Sequence, residues 1–208
     1  MAMEFIHRYK PATEGDKRTL LLLHGTGGDE NSLLRFGASI APTAGLLSPR
    51  GTVVENGMPR FFRRFAEGVF DFDDIKGRSH DLAAFIKAAA EAYSFDADQV
   101  VAIGYSNGAN IGWSTMLLHP GSIAQAILFR PMVTLTDVAA PDLGGKRLFV
   151  SAGKWDSIVP VENAERLVAQ MQSYGADVTL NWVKGGHEIS SEEISAAKDW
   201  LEKTRTRV

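Results

Sequence analysis

Strand-sized apolar runs alternate along the whole sequence with longer amphipathic stretches, and this alternation limits the fold more than any other feature. The runs fall at 19–23 (TLLLL), 43–47, 99–103 (QVVAI), 123–129 (IAQAILF), 147–151 (RLFVS) and 178–183 (VTLNWV), and 3–9 can add an edge strand. Between them, 30–40, 77–93, 107–119, 161–174 and 190–204 carry apolar residues at three- and four-residue spacing, which predicts helices. Pro160 suits a helix start, Ser190 opens a capping run and Gly175 suits a helix end. Strand and helix in turn imply an α/β fold with a mostly parallel central sheet and helices on both faces.

The length of 208 residues, with 45% hydrophobic and 23% charged, suits a single domain over 1–208. A net charge of -3 with both signs scattered offers no field for nucleic acid or an anionic membrane. The chain lacks cysteine, so thiolate chemistry and disulfides are excluded. Charges at Glu4, Arg8 and Lys10 interrupt any signal-peptide core, and no window reaches the roughly 20 apolar residues of a membrane span. The expectation is a cytoplasmic protein, monomer or homodimer.

Gly104-Tyr105-Ser106-Asn107-Gly108 follows one strand candidate and opens a helix candidate. A serine on so sharp a turn has its hydroxyl lifted clear of the sheet, and the flanking glycines remove side chains that would strike neighbouring backbone. The pentapeptide pattern alone arises by composition in roughly one chain in fifteen of this length, so it needs company. It has two partners in chain order. Asp156 lies on the loop after the strand candidate ending at Ser151, and His187 follows Gly185-Gly186 after the last strand candidate. Parallel sheets gather their sites at that edge, and a nucleophile, an acid and a histidine in this order are the parts of acyl transfer through an activated serine. Asp137 and Asp142, on the preceding crossover, are rivals for the acid.

A fourth element is His24-Gly25-Thr26-Gly27-Gly28, directly after the first apolar run. It lacks the lysine and spacing of a phosphate loop; backbone N–H groups of Thr26 and Asn107 are the expected donors to an oxyanion. The 48–75 segment is too long for a plain connection and holds Phe61, Phe62, Phe65, Phe70 and Phe72. Phe61, Phe62 and Phe65, with Tyr105 and Trp155, are the expected substrate pocket. Arg60, Arg63 and Arg64 in the same segment read as a solvated rim paired with Glu67 or Asp71, although three arginines could hold an anionic substrate. Asp71, Asp73 and Asp74 resemble a metal cluster but read more simply as an acidic turn, with no metal expected.

Together LLLHGTGGDE, SPRG, ENGMPRFFRR, GYSNGAN, GKWDSIVP and GGHE resemble the bacterial carboxylesterase/phospholipase family, relatives of the acyl-protein thioesterases. The resemblance runs from about Leu20 onward. It implies a compact, nearly lidless α/β-hydrolase that cleaves short- to medium-chain or aryl esters without cofactor. Carried over by position, it makes Ser106, Asp156 and His187 the triad and Thr26 and Asn107 the oxyanion donors. Tyr105 and Asn107 depart from the Gly-Phe-Ser-Gln-Gly of the thioesterase relatives, against a protein-thioesterase role. Dienelactone-type or thioester hydrolysis would use the same residues, and a non-catalytic binding protein would be expected to have lost one of them.

Overall fold

The computed structural model describes residues 5–205. In chain order the elements are β1 (His7–Lys10), β2 (Thr19–Leu23), α1 (Leu34–Ile40), β3 (Gly45–Pro49), β4 (Val53–Glu55), β5 (Met58–Arg60), β6 (Arg64–Ala66), β7 (Val69–Phe70) and α2 (Phe72–Tyr93). A short 3-10 turn then leads into β8 (Val100–Tyr105), α3 (Asn107–Leu118), β9 (Gln125–Phe129), β10 (Arg147–Gly153), α4 (Val161–Ser173), β11 (Asp177–Val183) and α5 (Ser191–Arg205). Seven strands form one sheet in the order β1-β3-β2-β8-β9-β10-β11, parallel throughout except for β1 against β3.

The unbroken apolar runs follow from burial on both faces. In β2, Leu21 and Leu23 enter the core beneath α2, α3 and α4, while Leu20 and Leu22 enter the one beneath α1 and α5; Ala102 and Ile103 of β8 divide the same way. Such period-two alternation is what a pleated strand imposes. Helix α3 is buried along nearly its whole length, which accounts for its small and apolar sequence. Among the described residues no helix is long and apolar enough to cross a membrane.

Several boundaries differ from the sequence expectation, each for a local reason. Met3 and Glu4 of the edge-strand candidate lie outside the described residues. Helix α1 begins at Leu34 rather than near Glu30 because the Asp29 carboxylate accepts the Asn31 N–H (2.8 Å) and the Ser32 hydroxyl (3.0 Å), holding a turn that competes with helix. Helix α2 begins at Phe72, earlier than expected. Asp71 is its N-cap, accepting the Asp74 N–H, and Asp73 and Asp74 lie in its first turn, where the helix dipole favours negative charge. The acidic trio is therefore a helix start. The long 48–75 segment resolves into two small antiparallel hairpins, β4-β5 and β6-β7.

From β2 the sheet grows one way to β3 and the other way to β8, so the strand order reverses between β2 and β8. A crevice at the carboxyl ends of such a pair is where parallel α/β sheets bind ligands. The residues just beyond those ends are His24 and Ser106.

Candidate active site

Ser106 occupies a sharp turn with φ 52° and ψ −113°, a backbone state uncommon for a residue with a side chain. Its N–H donates to the Phe129 carbonyl of β9 (2.9 Å), and its own carbonyl accepts the Asn110 N–H (2.9 Å) to start α3. The turn closes only over glycine. A Cβ on Gly108 would lie 2.0 Å from the Leu23 carbonyl oxygen, and one on Gly104 would lie 2.6 Å from Ala109 Cα.

The hydroxyl so presented meets His187. Ser106 Oγ lies 3.0 Å from His187 Nε2, and His187 Nδ1 lies 2.8 Å from Asp156 Oδ2. A carboxylate only accepts, so Nδ1–H donates to Asp156 and leaves Nε2 free to accept the serine proton. The other Asp156 oxygen accepts the N–H groups of Ile158 (2.8 Å) and Val159 (3.0 Å), and its side chain is fully buried. The strands carrying these loops, β10 and β11, run in register from Arg147–Asp177 to Gly153–Val183. Gly153 permits the loops to touch: a Cβ there would meet the Gly186 carbonyl oxygen at 2.4 Å.

Sequence reasoning missed what holds the histidine loop. Arg130, next after β9, takes a left-handed φ of 55° and is buried. It donates through Nε to the Gly186 carbonyl (2.8 Å) and through Nη2 to the Glu188 carbonyl (2.6 Å), the two peptide oxygens that flank His187. Its counter-ion is Glu193 of α5, bound through both oxygens, with Asp156 a further 3.7 Å contact. Burial pushes the Glu193 carboxyl up, but bonds from Arg130, Ser151 and the Ser190 N–H outweigh it and leave it below the usual range. The signal available in sequence was an arginine at the carboxyl end of a buried strand, the edge where sites gather.

The Gly-rich loop is fixed by His24, which is 1% exposed. Its Nδ1–H donates to the Gly25 carbonyl (2.7 Å) and its Nε2 accepts the Gly51 N–H (2.9 Å), a neutral tautomer, and burial pushes its pKa down. Thr26 follows on this loop, and Asn107 stands at the first turn of α3, where backbone N–H groups lack partners within the helix. The Asn107 side chain accepts the Phe61 N–H (2.7 Å) and so ties the 48–75 segment to the serine turn.

Ser106, His187, Thr26 and Asn107 all line a cavity of about 240 Å³, together with Tyr105 and Phe70. Tyr105 was expected there, and its hydroxyl also donates to the His187 carbonyl (3.2 Å). The rest of the expected aromatic wall lies elsewhere. Phe61 and Phe62 are buried in the core at 2% and 0% exposure, where Phe62 meets Phe70 edge-on, while Phe65 and Trp155 are 76% and 70% exposed and do not line the cavity. The segment delivers arginines instead. Arg60 and Arg64 line the cavity, each against Glu55, and only Arg63 sits on the expected rim, paired with Asp71 at 3.0 Å. Among the described residues no three His, Asp or Glu side chains gather as a metal site requires.

Comparison with known proteins gives the family and the fold. Residues 8–205 match the phospholipase/carboxylesterase family. The protein MhqD of Bacillus subtilis (strain 168) is 43% identical over 194 residues, covering 93% of this chain and 96% of its own length. The crystal structure of the Bacillus cereus carboxylesterase is 41% identical and superposes with a TM-score of 0.94, covering 96% of this chain and 94% of that one. The carboxylesterase from Mesorhizobium loti, 35% identical, superposes at 0.91 over 96% of this chain and 95% of its own.

Proposed function

Because the chain belongs to the phospholipase/carboxylesterase family of α/β-hydrolases, we propose that it cleaves carboxylic esters through an acyl-enzyme on Ser106. The observation that carries this reading is the unbroken hydrogen-bond chain from Ser106 through His187 to buried Asp156. In the first step His187 Nε2 takes the serine proton as Oγ bonds to the ester carbonyl carbon, and the C=O electron pair moves onto oxygen. The N–H groups of Thr26 and Asn107 receive that oxyanion. Collapse breaks the carbon–oxygen bond to the alcohol, which leaves with the proton held by His187. Water, deprotonated by the same imidazole, then releases the acid and restores Ser106. Asp156 keeps the Nδ1–H tautomer and offsets the charge on the imidazolium.

Labelling with a fluorophosphonate tests the assignment. Wild type should be modified at Ser106 alone, and Ser106→Ala should be unlabelled and inactive on 4-nitrophenyl acetate while melting at an unchanged temperature. Modification of another serine would remove the mechanism. Thioesters and lactones react through the same chemistry, and a panel of matched oxygen esters, thioesters and lactones ranks them by kcat/KM.

A further inference from the structure

The mechanism above leaves two guanidinium groups in the Ser106 cavity without a task. Arg60 is almost completely buried, with its side chain 2% exposed. Its Nη1 donates to Thr26 Oγ1, and its Nε donates to the Phe62 carbonyl (3.3 Å) and lies 3.4 Å from Glu55 Oε2. Its Nη2 makes no hydrogen bond to any described residue. Arg64 holds Glu55 more firmly, through Nε at 3.0 and 3.2 Å and Nη2 at 2.9 Å. One carboxylate therefore stands between two permanent cations, and a positive charge is left over. Glu67, the other carboxylate on the cavity, is exposed and pairs with neither, so water screens it.

Arginine stays charged at any working pH, and a buried cation without a full counter-charge is costly. Burial and the neighbouring Arg64 both press down on the Arg60 pKa, with Glu55 opposing, which reports the same imbalance. A planar anion offers two oxygens to a guanidinium fork and would supply the missing charge. The position fixes where that anion sits on the substrate. Arg60 is bonded to the side chain of Thr26, the residue whose N–H is assigned to the oxyanion, so the anion lies only a few bonds from the scissile carbonyl. A cavity of about 240 Å³ also favours a compact molecule over a long acyl chain.

Resting on the ester-hydrolase reading, we propose that the preferred substrates are short esters carrying a free carboxylate near the scissile carbonyl, held by Arg60 and Arg64. Hydrolysis of monomethyl glutarate and of methyl valerate, followed by acid release, gives the comparison: the two differ by one carboxylate. Wild type should favour the glutarate monoester in kcat/KM by about tenfold or more, the size of a charged hydrogen bond. Added salt should reduce that ratio, and Arg60→Gln and Arg64→Gln should each bring it toward one. Arg64 is partly exposed, so its variant keeps the test open if Arg60→Gln fails to fold. A wild-type ratio at or below one overturns the proposal, as does a ratio that Arg64→Gln leaves unchanged. Equal losses on both esters in Arg60→Gln, the mark of a residue that only holds Thr26, overturn it too. Turnover of 4-nitrophenyl acetate separates the layers. If it is normal while the ratio fails, only the carboxylate preference falls; if it is absent and Ser106 is unlabelled, the hydrolase reading falls with it.

Discussion

Asp156 gives both carboxylate oxygens to fixed donors, two backbone N–H groups on Oδ1 and the imidazole on Oδ2, so its orientation has no slack. Asp156→Asn keeps the shape but offers Oδ2's place to an amide that donates, which selects the wrong imidazole tautomer. The expected fall in kcat is about 10³- to 10⁴-fold, with Asp137→Asn close to wild type; steady-state kinetics on one ester decides between the two acids. Ser106, Asp156 and His187 were legible in the sequence because each sits at a strand end and their chain order has a chemical meaning. Arg60 was visible only as one of three arginines on a solvated rim, and Arg130 not at all, because the burial of a charged side chain depends on partners far along the chain: Thr26 for one, Gly186 and Glu193 for the other. Glu193→Gln tests the second case. An uncompensated buried Arg130 should cost about 3–5 kcal/mol in urea unfolding, and kcat should fall as the His187 loop loses its hold.

The two hairpins between β3 and α2 show how an element can be present and still unreadable. Its strands are two or three residues long, too short for a period to emerge, and its phenylalanines divide between opposite fates. Apolarity alone could not say which ring faces the core. The long runs of β2, β8, β9 and β10 were readable because burial on both faces makes them mostly apolar, with polar residues confined to an end, as at Thr19, Gln125 and Arg147, or bonded in the core, as at Ser151. Two substitutions measure the division. Phe62→Ala, at a fully buried ring packed on Phe70, should lower stability by about 3–5 kcal/mol. Phe65→Ala, at an exposed ring, should stay within about 0.5 kcal/mol. Urea midpoints of the two variants, compared with wild type, check both numbers.

The molecule as a whole should lose stability toward acid through a buried imidazole. His24 has its pKa lowered by burial, so the unfolded chain takes up a proton more readily than the folded one. Its contribution is complete above the unfolded value near about 6.5 and declines as pH falls from there toward the lower folded value. His119, also held down by burial and by His80, adds the same sign. Melting temperatures between about pH 7.5 and 5.5 should therefore fall, and fall less steeply in His24→Asn; an equal slope in the variant would assign the effect elsewhere. The Arg130–Glu193 pair has a different reach. Glu193 belongs to α5, the last element of the described chain, whereas the residues it steadies lie on earlier loops. During translation the serine, acid and histidine all leave the ribosome before the carboxylate that locks them in place. A nascent or nicked chain ending before Ser191 would carry Ser106, Asp156 and His187 but lack the carboxylate that pairs with Arg130, so the grip on the Gly186 and Glu188 carbonyls would tighten only as the closing helix docks.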